Sequence, residues 1–103
     1  MITGQLTRTD NGFKGFVASL DFDVTVVGER NAQKEQEDQP DYLFFSTSPV
    51  GRKIRVGAGW LRTSQSENEY ISMSLQVGVR PVRVNAVNDE EEANTLRIIP
   101  WSD

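Results

Sequence analysis

The chain reads as an all-β protein, a small, strongly curved antiparallel barrel or sandwich with OB-like and SH3-like barrels as candidates. Three observations carry this reading. Apolar and polar residues alternate with period two through most of the chain, and no window shows a helical stripe. Turn signals divide the sequence into about eight short segments, the pattern of a barrel or sandwich. Finally, Gly57 and Gly59 stand two apart inside the longest segment, where strong curvature or close approach of another backbone calls for glycine.

The segments follow in order. Ile2, Gly4 and Leu6 alternate with Thr3, Gln5 and Thr7 in a first strand. Asp10-Asn11-Gly12 supplies an Asn-Gly pair, the signal of a type I′ hairpin turn, and Phe13, Gly15 and Val17 open the second strand. A third covers about Asp21 to Gly28, with Phe22, Val24 and Val26 inward. Residues 29 to 41 hold a single weakly apolar residue, Ala32. Such a segment buries too little surface to offset its ordering entropy, so a mobile acidic loop is expected. Tyr42-Leu43-Phe44-Phe45 resumes as a strand, apolar on both faces, and Pro49-Val50-Gly51 turns the chain. From Arg52 to Thr63, Ile54, Val56, Ala58 and Trp60 share one face, Arg55, Gly57, Gly59 and Leu61 the other. After a polar turn, Tyr70, Ser72 and Ser74 alternate with Ile71, Met73 and Leu75. Val82, Val84 and Ala86 alternate with Arg83, Asn85 and Val87, and Leu96 to Ile99 ends the set before Pro100. The expected core is Phe13, Val17, Phe22, Val24, Val26, Phe44, Ile54, Val56, Trp60, Ile71, Met73, Leu75, Val82, Val84 and Ile98.

Composition bounds the function. At 103 residues the chain makes one domain, residues 1–103, with one core. It has no cysteine and no histidine, which removes disulfides, thiolate metal sites and the commonest general base. No charged region followed by an apolar run marks a signal peptide, and no apolar run approaches the about 20 residues that span a bilayer. The expectation is a cytoplasmic protein without membrane attachment, and not an enzyme.

Charge is unevenly placed. The net charge is −4, with acidic clusters at Glu35, Glu37, Asp38 and Asp41 and at Asp89 to Glu92. Residues 50 to 88 instead carry Arg52, Lys53, Arg55, Arg62, Arg80 and Arg83 against Glu67 and Glu69, six positive and two negative, a net +4.

Several residue groups invite a chemical reading and do not sustain it. Gly57-Ala58-Gly59 lacks the following helix that a phosphate loop needs. Asp21 and Asp23 share a strand face without further oxygen ligands for a cation. Thr63, Ser64 and Ser66 have no base to activate them. No catalytic residue, cofactor or metal is expected.

Gly12-Phe13-Lys14-Gly15, Pro40-Asp41-Tyr42, Gly57 to Ser64, Tyr70-Ile71-Ser72 and Pro81 to Ala86 stand in an order that resembles the bacterial domain of unknown function 736. The likeness covers nearly the whole chain. It departs in having Leu61-Arg62 where members often carry two lysines, and Gln65 to Asn68 where a glycine is common. The resemblance implies a small cytoplasmic product of plasmids and integrative elements, without assigned activity or known catalytic residues.

Single-strand nucleic-acid binders stack bases on aromatic side chains inside a basic groove. Tyr70 falls on a polar row, and Arg55, Arg62 and Arg83 fall on non-core rows nearby. The expected function is therefore a non-enzymatic binding module for single-stranded nucleic acid in a mobile-element setting, using Arg55, Arg62, Tyr70 and Arg83. The alternative is a protein-interaction or inhibitor module acting through its acidic loops or an exposed strand edge, which could also pair two copies into a homodimer.

Overall fold

The computed structural model describes residues 2–77 and 81–100; Arg80 lies outside the described residues. Eight strands follow one another: β1 (Thr3–Thr9), β2 (Gly12–Ala18), β3 (Asp23–Arg30), β4 (Tyr42–Thr47), β5 (Lys53–Thr63), β6 (Glu69–Gln76), β7 (Pro81–Asn88) and β8 (Thr95–Pro100). Each pairs antiparallel with the next, and β8 returns to β1 through Gln5↔Arg97, Leu6↔Leu96 and Thr7↔Thr95, closing a barrel. The architecture is thus the barrel rather than the sandwich. Its order is a simple meander, not the five-stranded Greek key of an OB-fold. Closure gives all eight strands a neighbour on both sides, so the edge-paired homodimer has no edge on which to form.

An eight-stranded barrel has an interior just wide enough for side chains to fill. Here it holds Leu6, Phe13, Val17, Val26, Phe44, Ile71, Met73, Leu75, Val84, Ala86, Leu96 and Ile98, all buried. Phe44 occupies the middle, in register with Gly28 on one side and Gly57 on the other. A methyl group at Gly28 would lie 2.7 Å from Phe44 Cε1, and one at Gly59 would lie 2.8 Å from Cε2. The ring therefore fits only because both neighbouring strands present hydrogen to it. Next to it, Tyr42 meets Phe13 edge to face at 5.0 Å.

This packing corrects the expected face of β5. Gly57 and Gly59 point inward, against Leu75, Ile71 and Phe44, so Ala58, Trp60 and Arg62 point outward. Trp60 is half-buried rather than part of the core, and Ile54 is 47% exposed. A β-bulge completes the inversion. Phe44 pairs Gly57 while Phe45 pairs Arg55, leaving Val56 as the extra residue. Beyond the bulge the parity reverses, which lets Arg55 and Arg62, seven residues apart, share the outer face.

The first hairpin differs too. Thr9 pairs Gly12 across a two-residue loop of Asp10 and Asn11. Positive φ among the described residues is confined to Gly51, Glu67 and Asn94, so the turn is not type I′. Gly12 serves close approach instead: a Cβ there would collide with the Gly28 carbonyl oxygen. At the other end of the barrel Gly51, with φ +89°, makes the expected turn between β4 and β5.

Gly28→Ala and Gly59→Ala are expected to destabilise the fold by about 1–3 kcal/mol each through overpacking. Phe44→Leu should relieve part of that cost in either background. A urea-denaturation double-mutant cycle checks this coupling; additive effects would show that Phe44 does not set the glycine requirement.

Candidate functional site

Apart from Thr63, Glu69 and Asn88 at one barrel end, the inward rows of β5 to β8 are apolar or glycine, which dictates what the outward rows display. On β5 these are Lys53, Arg55, Ala58, Trp60 and Arg62; on β6, Tyr70, Ser72, Ser74 and Gln76. On β7 they are Pro81, Arg83, Asn85 and Val87; on β8, Thr95, Arg97 and Ile99. Five of these side chains are basic and none is acidic, in a protein whose net charge is −4. Arg55, Arg62, Arg83 and Arg97 are exposed.

Register sets their mutual positions. Arg62 pairs Tyr70, Tyr70 pairs Val87 and Val87 pairs Arg97, a continuous row over four strands. With strands about 4.8 Å apart, the two arginines stand about 14 Å from each other with Tyr70 between them. One step along the strands runs Trp60–Ser72–Asn85–Ile99, and the next runs Ala58–Ser74–Arg83. Arg83 is therefore about 13 Å along β7 from the Tyr70 row. Arg55 lies further along β5, beside Phe45. It joins the wall through a shallow groove of about 260 Å³ lined by Arg55, Ala58, Trp60, Ser74 and Gln76. Tyr70 lines a second groove, about 340 Å³, with Val87, Asn88 and Arg97 and, at its loop end, the acidic Glu69 and Glu90.

All four residues expected from the sequence thus share one wall, with Arg62 and Tyr70 adjacent and Arg55 and Arg83 spread along it. Two members were missed. Trp60 was placed in the core on the strength of its apolar row. Arg97 is brought beside the Tyr70 row by β7–β8 pairing, and only its lone charge in an apolar final strand marked it.

The segment between β3 and β4, residues 31–41, folds over one corner of this wall. Glu29 and Arg30, expected in the loop, belong to β3. The Trp60 indole N–H donates to the Asp38 carbonyl at 3.0 Å. Beside it the Leu61 N–H donates to Asp41 Oδ2 at 2.8 Å and the Asp41 N–H to the Gly59 carbonyl at 2.9 Å. β4 pairing ends at Tyr42↔Gly59, so the Asp41 carboxylate satisfies a β5 amide that has run past its partner strand. Lys34 Nζ closes the arrangement on Asp41 Oδ1 at 2.7 Å. Burial alone would raise the Asp41 pKa. The Lys34 hydrogen bond, the Leu61 amide and the charges of Lys34 and Arg62 outweigh it and hold the carboxyl below its usual value.

A larger cavity, about 720 Å³, opens at the barrel end near Asp10, Phe13, Arg30 and Tyr42. Its Arg8 guanidinium is already engaged, lying 5.5 Å from the Phe13 ring centre and donating to Asn88 Oδ1 at 3.0 Å. Acidic and basic side chains are mixed there.

A family model described as Protein of unknown function (DUF736) matches residues 2–102 of the chain. The chain belongs to that family. No curated protein and no solved structure matches it significantly. The family carries no assigned chemistry, so the reading of the wall rests on its own geometry.

Asp41→Ala should cost about 1–3 kcal/mol near neutral pH, since it strands the Leu61 amide and Lys34; Asp41→Asn, which keeps an acceptor, should cost less. Because the folded carboxyl has a lowered pKa, its contribution is full above the unfolded aspartate value and is lost as pH falls through the folded one. Urea midpoints followed into the acid range should show this loss in the native protein and not in either variant.

Proposed function

We propose that the protein is a non-enzymatic module that binds single-stranded nucleic acid along the outer wall of β5 to β8. The observation that carries this is the in-register row Arg62–Tyr70–Val87–Arg97 on outward strand rows without acidic side chains, Glu69 and Glu90 standing only at the loop end of the Tyr70 groove. Bases of any identity offer a π-face to Tyr70 and Trp60, while the arginines meet the flanking phosphates; this recognises the single strand without reading its sequence. A duplex, whose bases are stacked internally, offers the wall only its phosphates. The mobile-element setting we attach to this function comes from the family resemblance alone.

A specific observation also favours a second reading. In a meander barrel alternate loops emerge at the same end, here 10–11, 31–41, 64–68 and 89–94. Together they carry ten acidic residues and one lysine. An end so charged suits a basic protein partner, through steering and rim contacts.

A labelled single-stranded oligonucleotide should bind at low salt, with affinity falling steeply as salt rises because phosphate contacts release counterions. Arg62→Glu with Arg83→Glu should abolish binding. Tyr70→Ala should weaken it by about 1–3 kcal/mol. The first reading is refuted if neither the native protein nor a variant with Glu35, Glu37 and Asp38 neutralised binds at low salt. The second predicts a basic partner that co-purifies at low salt and is lost when Glu35, Glu37 and Asp38 are neutralised together. Retention of that partner by the neutralised variant would refute it.

A further inference from the structure

The segment 31–41 is a strap laid on the Trp60–Arg62 corner of the wall. We propose that this strap is an intramolecular competitor of the nucleic acid, an inference that rests on the nucleic-acid reading and adds its regulation. The strap reaches the corner through two different contacts. Asp38 occupies the Trp60 indole N–H through its backbone carbonyl. Asp41 sets a carboxylate on the adjacent Leu61 amide, close enough to Arg62 for the two charges to interact. The strap thus holds the edge of the indole ring and sets a carboxylate on the amide of the residue before Arg62.

The strap also has the right chemistry to stand in for a phosphate chain. It carries Glu35, Glu37, Asp38 and Asp41 against Lys34, and Lys34 is spent on Asp41. Glu35, Glu37 and Asp38 have no ion-pair partner among the described residues. Their field lies beside a wall of arginines, where it lowers the potential that an incoming phosphate meets. The strap keeps its shape through local bonds: Gln39 Oε1 accepts from the Glu35 and Gln36 amides at 2.6 and 3.1 Å, and Asn31 Nδ2 donates to the Pro40 carbonyl at 2.9 Å. None of these ties involves the wall. The strap can therefore swing from the Trp60 corner as a unit, pivoting near Asp41.

Oligonucleotide binding by the full chain at low salt tests this with three proteins: native, the strap variant Glu35→Gln/Glu37→Gln/Asp38→Asn, and a control, Asp10→Asn/Glu91→Gln/Glu92→Gln. The two variants change net charge equally at the same barrel end. The strap variant should bind about 3–10-fold more tightly than the native protein, with the gain vanishing as salt screens it, and the control should gain clearly less. Binding by the strap variant where the native protein shows none would support the inference in its strongest form. Equal gains in both variants, or no gain in the strap variant, would overturn the competitor and leave the nucleic-acid reading standing. No binding by native protein or strap variant would overturn that reading, and the competitor with it.

Discussion

The volume of the Phe44 ring governs the rest of the molecule. A closed eight-stranded barrel encloses little space, and one phenyl group at its centre forces the strands around it to present hydrogen rather than methyl. Gly28 and Gly59 meet that demand directly. Once Gly59 points inward, the parity of a β-strand leaves Ala58, Trp60 and Arg62 no choice but to point outward. The aromatic and basic side chains of the candidate site are therefore displayed as a consequence of core packing. The bulge at Val56 performs the same service for Arg55, which would otherwise face the interior.

That dependence explains which parts of the structure were legible in the sequence. Strand number and approximate bounds could be read, because turns at Asp10-Asn11, Pro49 to Gly51 and Ser64 to Asn68 punctuate a clear alternation. The inward rows of β2, β3, β6 and β7 could be read as well, since each sets apolar residues mainly against polar ones. On β5 the local pattern pointed the wrong way. Ile54, Val56, Ala58 and Trp60 look like a buried row only while Gly57 and Gly59 are counted as empty positions. Their emptiness is the signal, and it becomes readable once β4 is seen to carry Phe44, a residue that needs the space. Arg97 was illegible for a different reason. Its place beside Tyr70 depends on pairing between β7 and β8, and no single strand records its own register. The closure of β8 onto β1 joins residues about ninety positions apart and has no local trace at all.

Topology then separates the charges. The meander sends the acidic loops to one end, while the arginines of β5 to β8 stay on the side wall. A polyanion approaching this protein is repelled by the end and attracted by the wall, so its orientation is settled before contact. The same separation keeps the two functional readings physically distinct, since a basic partner would meet the end and a nucleic acid the wall. The strap is the one element that belongs to both, because it starts and finishes at the acidic end and lies on the wall between.

Its anchoring shows how it could act without disturbing the barrel. Asp41 precedes Tyr42, which starts β4, pairs Gly59 and packs edge to face on Phe13. That end of the strap is therefore tied to the core. Asp38, three residues earlier, holds the wall by one hydrogen bond to Trp60, in a setting open to water. A neutral hydrogen bond of this kind contributes about 0.5–1.5 kcal/mol net, whereas base stacking on an aromatic side chain contributes about 1–3 kcal/mol. A nucleotide that stacks on Trp60 can thus offset the loss of the Asp38 contact and still bind, while the Asp41 anchor and the core behind it stay as they are. On this proposal the hold on Trp60 is weak enough to yield to a ligand, and the carboxylates beside it would set how much ligand is needed.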